Sequence, residues 1–348
     1  MKITKRVEET PIGEVEIFRM ENPSGSWAEV SSLGAGITGV GVPDREGRIE
    51  NVALSYGSAA DYVADGPCLG KCPGRYANRI AGGHLEVDGR TYQLAINNGP
   101  NHLHGGPDGF QNRIWDVEEL PDGVKFTRRS PDGEENYPGN LTISVTYRWS
   151  DDDTLSIRFE AESDADTVIN MTNHAYWNLG GAESGTALGH ELRMHASRWL
   201  PTDDTLIPLG TLDPVAGTPM DFTEWKQLGR DIKEDFPALK YGKGYDNCWA
   251  IDAWEPGRFD AEALQLRLSA NGRMLTVGSD QPGVQVYTGN WLAGSPRGKE
   301  GREFQDYDGV AIEMQGFPDA PNKPQFPSQL LKKGEKYVRN IAYHFSVF

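Results

Sequence analysis

The chain has 348 residues, 37% hydrophobic and 24% charged, so it is long enough to bury a large core without disulfide or metal staples. Its net charge of −17, from 51 acidic and 34 basic residues, repels phosphate backbones and anionic membranes and leaves neutral or cationic partners as the expectation. Three cysteines (Cys68, Cys72 and Cys248) are an odd, low count that excludes a disulfide framework, no run approaches the roughly 18 apolar residues of a membrane span, and residues 1–22 lack the apolar stretch of a secretion signal, so a cytoplasmic protein is expected.

In chain order, residues 58–63 suit a short helical turn. Asp88-Gly89 stands between Leu85/Val87 and Tyr92/Leu94 and supplies the positive-φ pair of a tight hairpin. Leu141, Ile143, Val145, Tyr147 and Trp149 alternate with Thr142, Ser144, Thr146 and Arg148. After a turn at residues 150–153, Leu155, Ile157, Phe159 and Ala161 alternate with Ser156, Arg158 and Glu160. Period-2 alternation places one side-chain set inward and the other outward, which predicts a half-buried antiparallel hairpin. Residues 223–228 suit a second short helical turn, and residues 252–262 are the most linker-like stretch. Leu264, Leu266 and Leu268 lead to Asn271-Gly272, a second expected tight turn, and on to Leu275 and Val277. Ile341, Tyr343, Phe345 and Val347 close the chain with the same alternation. The 41 Gly and 22 Pro are spread throughout, punctuating strands rather than forming a linker. The expectation is a single all-β domain over residues 1–348, a large antiparallel β-sandwich.

Polar segments with chemical potential interrupt these strands. His102 and His104 have the spacing of two ligands on one strand face, but no third metal ligand stands near them, and no metal is expected. Arg75 and Arg79 read as surface charges when taken alone. Glu313 sits in the apolar run Val310-Ala311-Ile312-Glu313-Met314, either on a solvent face or as a deliberately buried acid. The segments hold no Gly-x-Ser-x-Gly, no phosphate loop and no cysteine in a nucleophile setting. Their His, Glu, Asp, Asn, Gln and Arg residues can hydrogen-bond a polyol and move protons.

Taken together, the segments resemble a known family. Gly74-Arg75-Tyr76-Ala77-Asn78-Arg79-Ile80 resembles the GR-x-ANRI signature of the aldose 1-epimerases. Leu103-His104-Gly105-Gly106, with Gly109-Phe110 and Trp115, resembles their LHGG…GF…W. Asn173-His174-Ala175-Tyr176-Trp177-Asn178-Leu179-Gly180 resembles NHSYFNLxG. The stretch from Pro201 through Pro208 and Gly217-Thr218-Pro219 to Asp221-Phe222 is similar to D-x-x-x-IP…V-x-GTP-x-DF, and Glu313-Met314-Gln315 leads to Pro318-Asp319 as in E-x-Q-x-x-PD. The matches keep the family order over roughly residues 25 to 345, and that colinearity is far more specific than any one motif. Two departures stand out. Asp246-Asn247 occupies a place where the family commonly has Asp-His, and Asn136 interrupts its DGEEGYPG.

The resemblance implies a galactose mutarotase-like supersandwich that interconverts the anomers of free hexoses without a cofactor. It implies a catalytic set of Glu313, His174 and His104. Glu313 takes the proton of the C1 hydroxyl, His174 protonates the ring oxygen, and the ring opens and recloses with the roles reversed. His104 and Arg79 hold groups near C1, while Asn78, Asp246 and Gln285 hold other sugar hydroxyls. The expected partner is a small-molecule sugar, bound by a monomer or homodimer, with no nucleic acid and no membrane. A sugar-phosphate epimerase would want a further Arg or Lys cluster, which the motif loops lack. A non-catalytic sugar-binding protein on this fold would not need both Glu313 and His174.

Overall fold

The strand-forming segments assemble, in a computed structural model describing residues 1–252 and 254–348, into three principal antiparallel sheets. The linker-like stretch 252–262 therefore includes one residue, 253, outside the described ones. Lys2–Thr10, Gly13–Glu21, Trp27–Ser31, Gly36–Pro43 and Ile49–Asn51 form a five-stranded meander. A nine-stranded sheet has at its centre the hairpin Leu141–Trp149/Thr154–Ser163, the C-terminal strand Lys336–Val347, and the hairpin Asp260–Leu268/Arg273–Ser279. The third sheet has six strands, in the order Tyr176–Trp177, Val310–Gln315, Gly283–Tyr287, Asp246–Ala250, Arg198–Trp199 and Asp213–Pro214. Every strand pair in these three sheets is antiparallel, as the alternation predicts.

The alternation also decides the layers. Ile143, Val145 and Tyr147 pair in register with Ala161, Phe159 and Ile157, and this set faces inward. It meets Val310, Ile312, Met314, Val284, Val286 and Trp249 from the six-stranded sheet in one buried apolar cluster. Each such side chain contributes about 1.5–3 kcal/mol by leaving water. The Tyr343 hydroxyl donates to the Ile312 carbonyl at 3.2 Å across the layers, which ties the central strand of one sheet to the strand that carries Glu313.

Two local expectations fail. Asp88 and Gly89 do take φ of 51° and 69° in a two-residue turn. Asn271-Gly272 does not: residues 269–272 form a four-residue connection in which only Gly272, at φ 76°, is left-handed. The Asn271 amide is bound instead to the Leu179 carbonyl, a tertiary contact that holds the residue out of a local turn. Residues 223–228 are not helical either. Lys226–Gln227 pairs as a short strand with Glu191–Met194, because the buried Lys226 ammonium reaches the Pro219 carbonyl and Asp231. The α-helices among the described residues are short: Ala59–Val63, capped by Ser58 and Asp61 in a capping box, and Pro237–Gly242, which the alternation does not reveal.

Candidate active site

The period-2 rule splits the strand Val310–Gln315 into two faces. Val310, Ile312 and Met314 enter the core, so Ala311, Glu313 and Gln315 point the other way. That second face is not solvent: Glu313 is 2% exposed. In register across the sheet lie Glu313, Gln285 and Cys248, and one step along lie Tyr176, Ala311, Tyr287 and Asp246. Sheet pairing thus gathers residues far apart in sequence into one patch, and loops then roof it.

His174 comes from the loop before Tyr176–Trp177. Its backbone is gripped on both sides, with Gly70 N donating to its carbonyl and its own N–H donating to the Lys71 carbonyl, each at 2.9 Å. Gly70 is required here: its φ is 73°, and a Cβ would lie 1.9 Å from the Ile37 carbonyl oxygen. The grip sets His174 Nε2 3.5 Å from Glu313 Oε1, with Nδ1 and Glu313 Oε2 left without a protein partner. The imidazole is bounded by the rings of Tyr176 and His104, at centroid distances of 5.0 and 5.4 Å.

Asn78, Arg79 and His104 come from a second small construction. Arg79–Ile80 pairs with His102–Leu103, and the chain turns left-handed at Asn78 (φ 64°) and His104 (φ 52°). The two residues lock reciprocally: His104 N donates to the Asn78 carbonyl at 3.0 Å, and Asn78 N donates to His104 Nδ1 at 3.1 Å. A backbone amide can only donate, so Nδ1 is an acceptor and the ring carries its proton on Nε2. Burial, with His174 and Arg79 nearby, pushes the His104 pKa well below the ordinary histidine value, which keeps that ring a neutral donor. Arg79 Nη2 stands 3.7 Å from Asp246 Oδ2, and Arg79 Nε donates to Asn98 Oδ1 at 3.1 Å.

Six of the seven expected site residues, Asn78, Arg79, His104, His174, Asp246 and Glu313, line one cleft of about 800 Å³. Gln285, in register beside Glu313, donates its Nε2 to Asp246 Oδ1 at 2.7 Å and aims the carboxylate. Its Oε1 is buried without a protein partner, as is Glu313 Oε2. Burial dominates the electrostatics. It raises the Glu313 pKa well above the carboxylate range, with help from Asp246 and opposition from Arg79. It lowers that of His174 to about 4. Both shifts favour neutral forms, so the dry site draws the pair toward one proton on carboxyl and none on imidazole.

The other conspicuous residues have different work. Arg75 is no surface charge. It is buried, and its terminal nitrogens bind the carbonyls of Pro138 and Gly139 and the hydroxyls of Ser130 and Thr167. The segment from Asp132 to Gly139 is its anchor and no part of the cleft. His102 does not share a face with His104, because the strand ends at Leu103 and His104 turns left-handed. His102 Nδ1 contacts the Ala95 carbonyl and Nε2 the Tyr137 hydroxyl, each at 2.7 Å. Among the described residues no group of three His, Cys, Asp or Glu is placed to hold a metal ion. All three cysteines are free and buried: Cys72 bonds the Ala35 carbonyl, and Cys68 lines the cleft. Cys68, Tyr176, Tyr287, Asn98 and Trp291 are cleft residues absent from the expectation. The signal for Tyr287 was available, since it lies two positions from Gln285 on one strand and therefore on one face.

A profile of the aldose 1-epimerase family matches residues 16–344. The chain belongs to that family. It is 40% identical to human galactose mutarotase over 335 residues, 96% of this chain and 95% of that protein. It is 36% identical to Escherichia coli aldose 1-epimerase over 334 residues, 94% of each chain. The solved structure of the aldose epimerase homologue from C. elegans superposes with a TM-score of 0.87 at 30% identity, covering 99% of both chains. No helix among the described residues is long and apolar enough to cross a membrane.

Proposed function

We propose that the chain, working as one unit over residues 1–348, interconverts the α and β anomers of free hexoses such as glucose and galactose by opening and reclosing the ring. One observation carries this reading above the rest: a buried carboxyl and a buried imidazole 3.5 Å apart in a cleft that Asn78, Arg79, His104 and Asp246 also line. Mutarotation removes a proton from the C1 hydroxyl and delivers one to the ring oxygen, so the catalyst must hold one proton and be able to present it from either side. Glu313 and His174 together meet that requirement. Their one-proton state has two tautomers, carboxylic acid with neutral imidazole, and carboxylate with imidazolium. Bound sugar hydroxyls supply the polar partners that burial removes, which brings the second tautomer within reach. In it Glu313 accepts the C1 hydroxyl proton while His174 protonates the ring oxygen. The C1–O5 bond breaks to give the open aldehyde, the C1–C2 bond turns, and closure runs the transfers backwards.

The neighbours serve this exchange. His104 offers a neutral Nε2–H to an oxygen at C1, so it stabilises developing negative charge without competing for the proton. Arg79 adds fixed positive charge. Asp246, aimed by Gln285, accepts from two hydroxyls, and Asn78 serves a further one. The partner is an uncharged small molecule, in keeping with the net charge of −17, and three reduced thiols suit a cytoplasmic setting. The test is polarimetric: fresh α-glucose and α-galactose should equilibrate faster with wild type and at the uncatalysed rate with Glu313→Gln. Equal catalysed rates for the two proteins would remove Glu313 from the mechanism.

A further inference from the structure

Two lysines are buried against an acid, and they stand differently to the proton pair. Lys226 Nζ lies 3.0 Å from Asp231 and donates to the Pro219 carbonyl at 2.5 Å, away from the cleft. Lys71 Nζ lies 3.0 Å from Asp65 Oδ2 and donates to the Tyr62 carbonyl at 2.6 Å, with neither side chain of the pair more than 2% exposed. Taking both charges out of water is costly, and an apolar pair of similar volume would fill the space at least as well, so packing alone does not account for it. Neither Lys71 nor Asp65 lines the cleft, but the chain between them does, at Gly66, Pro67 and Cys68. The Asp65 carboxylate is fixed further, accepting from the Tyr56 hydroxyl at 2.7 Å and from Leu69 N at 2.9 Å. Residues 65–71 are thereby closed into a stapled turn.

What that turn holds is His174. The Lys71 carbonyl accepts the His174 N–H, the Gly70 N–H donates to the His174 carbonyl, and the Gly70 carbonyl accepts from Asn173 Nδ2 at 2.7 Å. Tyr176, whose ring bounds the imidazole, donates its hydroxyl to the Pro67 carbonyl at 2.9 Å. The imidazole itself is held by no short hydrogen bond: Nδ1 has no protein partner, and Nε2 has Glu313 at 3.5 Å. Its place therefore follows from its main chain and the rings around it, and the turn sets both the main chain and the Tyr176 ring. We propose that Lys71 and Asp65 are positioning residues for the proton transfer: their ion pair holds the turn rigid, and the turn sets the distance between His174 and Glu313. This inference rests on the proposed mutarotase reading and adds to it two residues outside the cleft.

The test compares like changes at the two pairs. Lys71→Met with Asp65→Asn removes one pair without leaving a lone buried charge, and Lys226→Met with Asp231→Asn makes the same change at the other. Polarimetry with fresh α-glucose gives kcat and KM, and thermal unfolding gives stability. The Lys71/Asp65 variant is expected to lose roughly 10–100-fold in kcat, the effect of misplacing a reacting group by about 1 Å. Its KM should change by less than about threefold, because Asn78, Arg79 and Asp246 stand on other segments. The Lys226/Asp231 variant should unfold at a lower temperature and keep the wild-type kcat. Tyr56→Phe leaves the ion pair in place and loosens Asp65, so it should lower kcat by about threefold, within the worth of one hydrogen bond. It decides the question by itself if the Lys71/Asp65 variant does not fold. Wild-type kcat in the variants of the 65–71 turn, an equal loss of kcat at the remote pair, or a raised KM at unchanged kcat would each overturn the proposal. A wild type inactive on glucose overturns the mutarotase reading itself, an outcome distinct from those three.

Discussion

Two arginines four residues apart, Arg75 and Arg79, and two histidines two apart, His102 and His104, part company in this molecule. Arg75 and His102 go into the scaffold, Arg79 and His104 onto the cleft wall. The residue types are the same and the neighbourhoods adjoin, yet the bonding differs. Both ring nitrogens of His102 are engaged by a carbonyl and a hydroxyl, and the Arg75 terminal nitrogens are taken by backbone and hydroxyl oxygens. At the floor of the cleft, by contrast, His174 Nδ1 and Glu313 Oε2 are buried without a protein partner. Arg75 Nε is buried without a partner too, but His174 and Glu313 line a cleft that a ligand can enter, where bound hydroxyls can meet their unpaired atoms.

The sharpest way to break that contrast is to mutate both sides of it. Glu313→Gln and His174→Asn should each lower kcat by roughly 10²–10⁴-fold, the usual worth of a positioned acid or base. Neither should lower the melting temperature much, because each replaces a group already costly to bury. Arg75→Met should do the opposite. It strands several buried carbonyls and should cost about 3 kcal/mol of stability, read by thermal or chemical unfolding. Turnover per folded molecule should be preserved. An Arg75→Met protein that is stable and inactive would place Arg75 in the site and erase the distinction.

Much of this was legible in the sequence, and the limits have physical reasons. The hairpin from Leu141 to Ala161 could be read because one face of each strand is apolar. That Asn78, Arg79, His104, His174, Asp246 and Glu313 meet in one cleft could be expected because the family motifs keep their order. Glu313 could not be oriented, since period 2 says which residues share a face but not whether loops cover it. The loop built on Gly70 and the roof over the cleft come from long-range packing. Arg75 was misread for the same cause: its partners Ser130, Gly139 and Thr167 lie 55 to 92 positions away. The Asn271-Gly272 turn and the 223–228 segment failed where a tertiary contact, to Leu179 in one and to Asp231 in the other, outweighed local preference.

A smaller effect sharpens the distinction between proton carriers and hydroxyl anchors. Asp246→Ala should raise KM by about tenfold with a lesser change in kcat, since it removes a contact made in ground and transition states alike. Gln285→Leu should follow in the same direction and more weakly, because it loosens Asp246 without removing its carboxylate. Dialysis against a chelator should leave the rate unaltered, as both proton transfers are assigned to side chains. A rate abolished by chelation and restored by zinc would reopen the role of His104.

The smallest expected effect is the most specific to the pair. With His174 pushed down to about 4 and Glu313 pushed up, both by burial, the two groups together hold one proton over a wide window. The rate should then show no limb near pH 6.5, because His174 has already lost its proton well below that pH. An isolated histidine near its ordinary value of about 6.5 would instead impose one there. Stability should carry the same signature with opposite signs on the two sides. His174, depressed in the folded state, contributes stability that is present above its unfolded value of 6.5 and lost as pH falls toward 4. Glu313, raised in the folded state, contributes stability that is full below its unfolded value of 4.5 and lost as pH rises through the elevated one. Melting curves against pH should therefore fall less steeply on the acid side in His174→Asn, where His102, His104 and His190, also depressed by burial, still contribute, and less steeply on the alkaline side in Glu313→Gln. A Glu313→Gln protein whose alkaline fall matches wild type would show that the carboxyl is already ionised at neutral pH, and would replace the shared proton with a fixed carboxylate base.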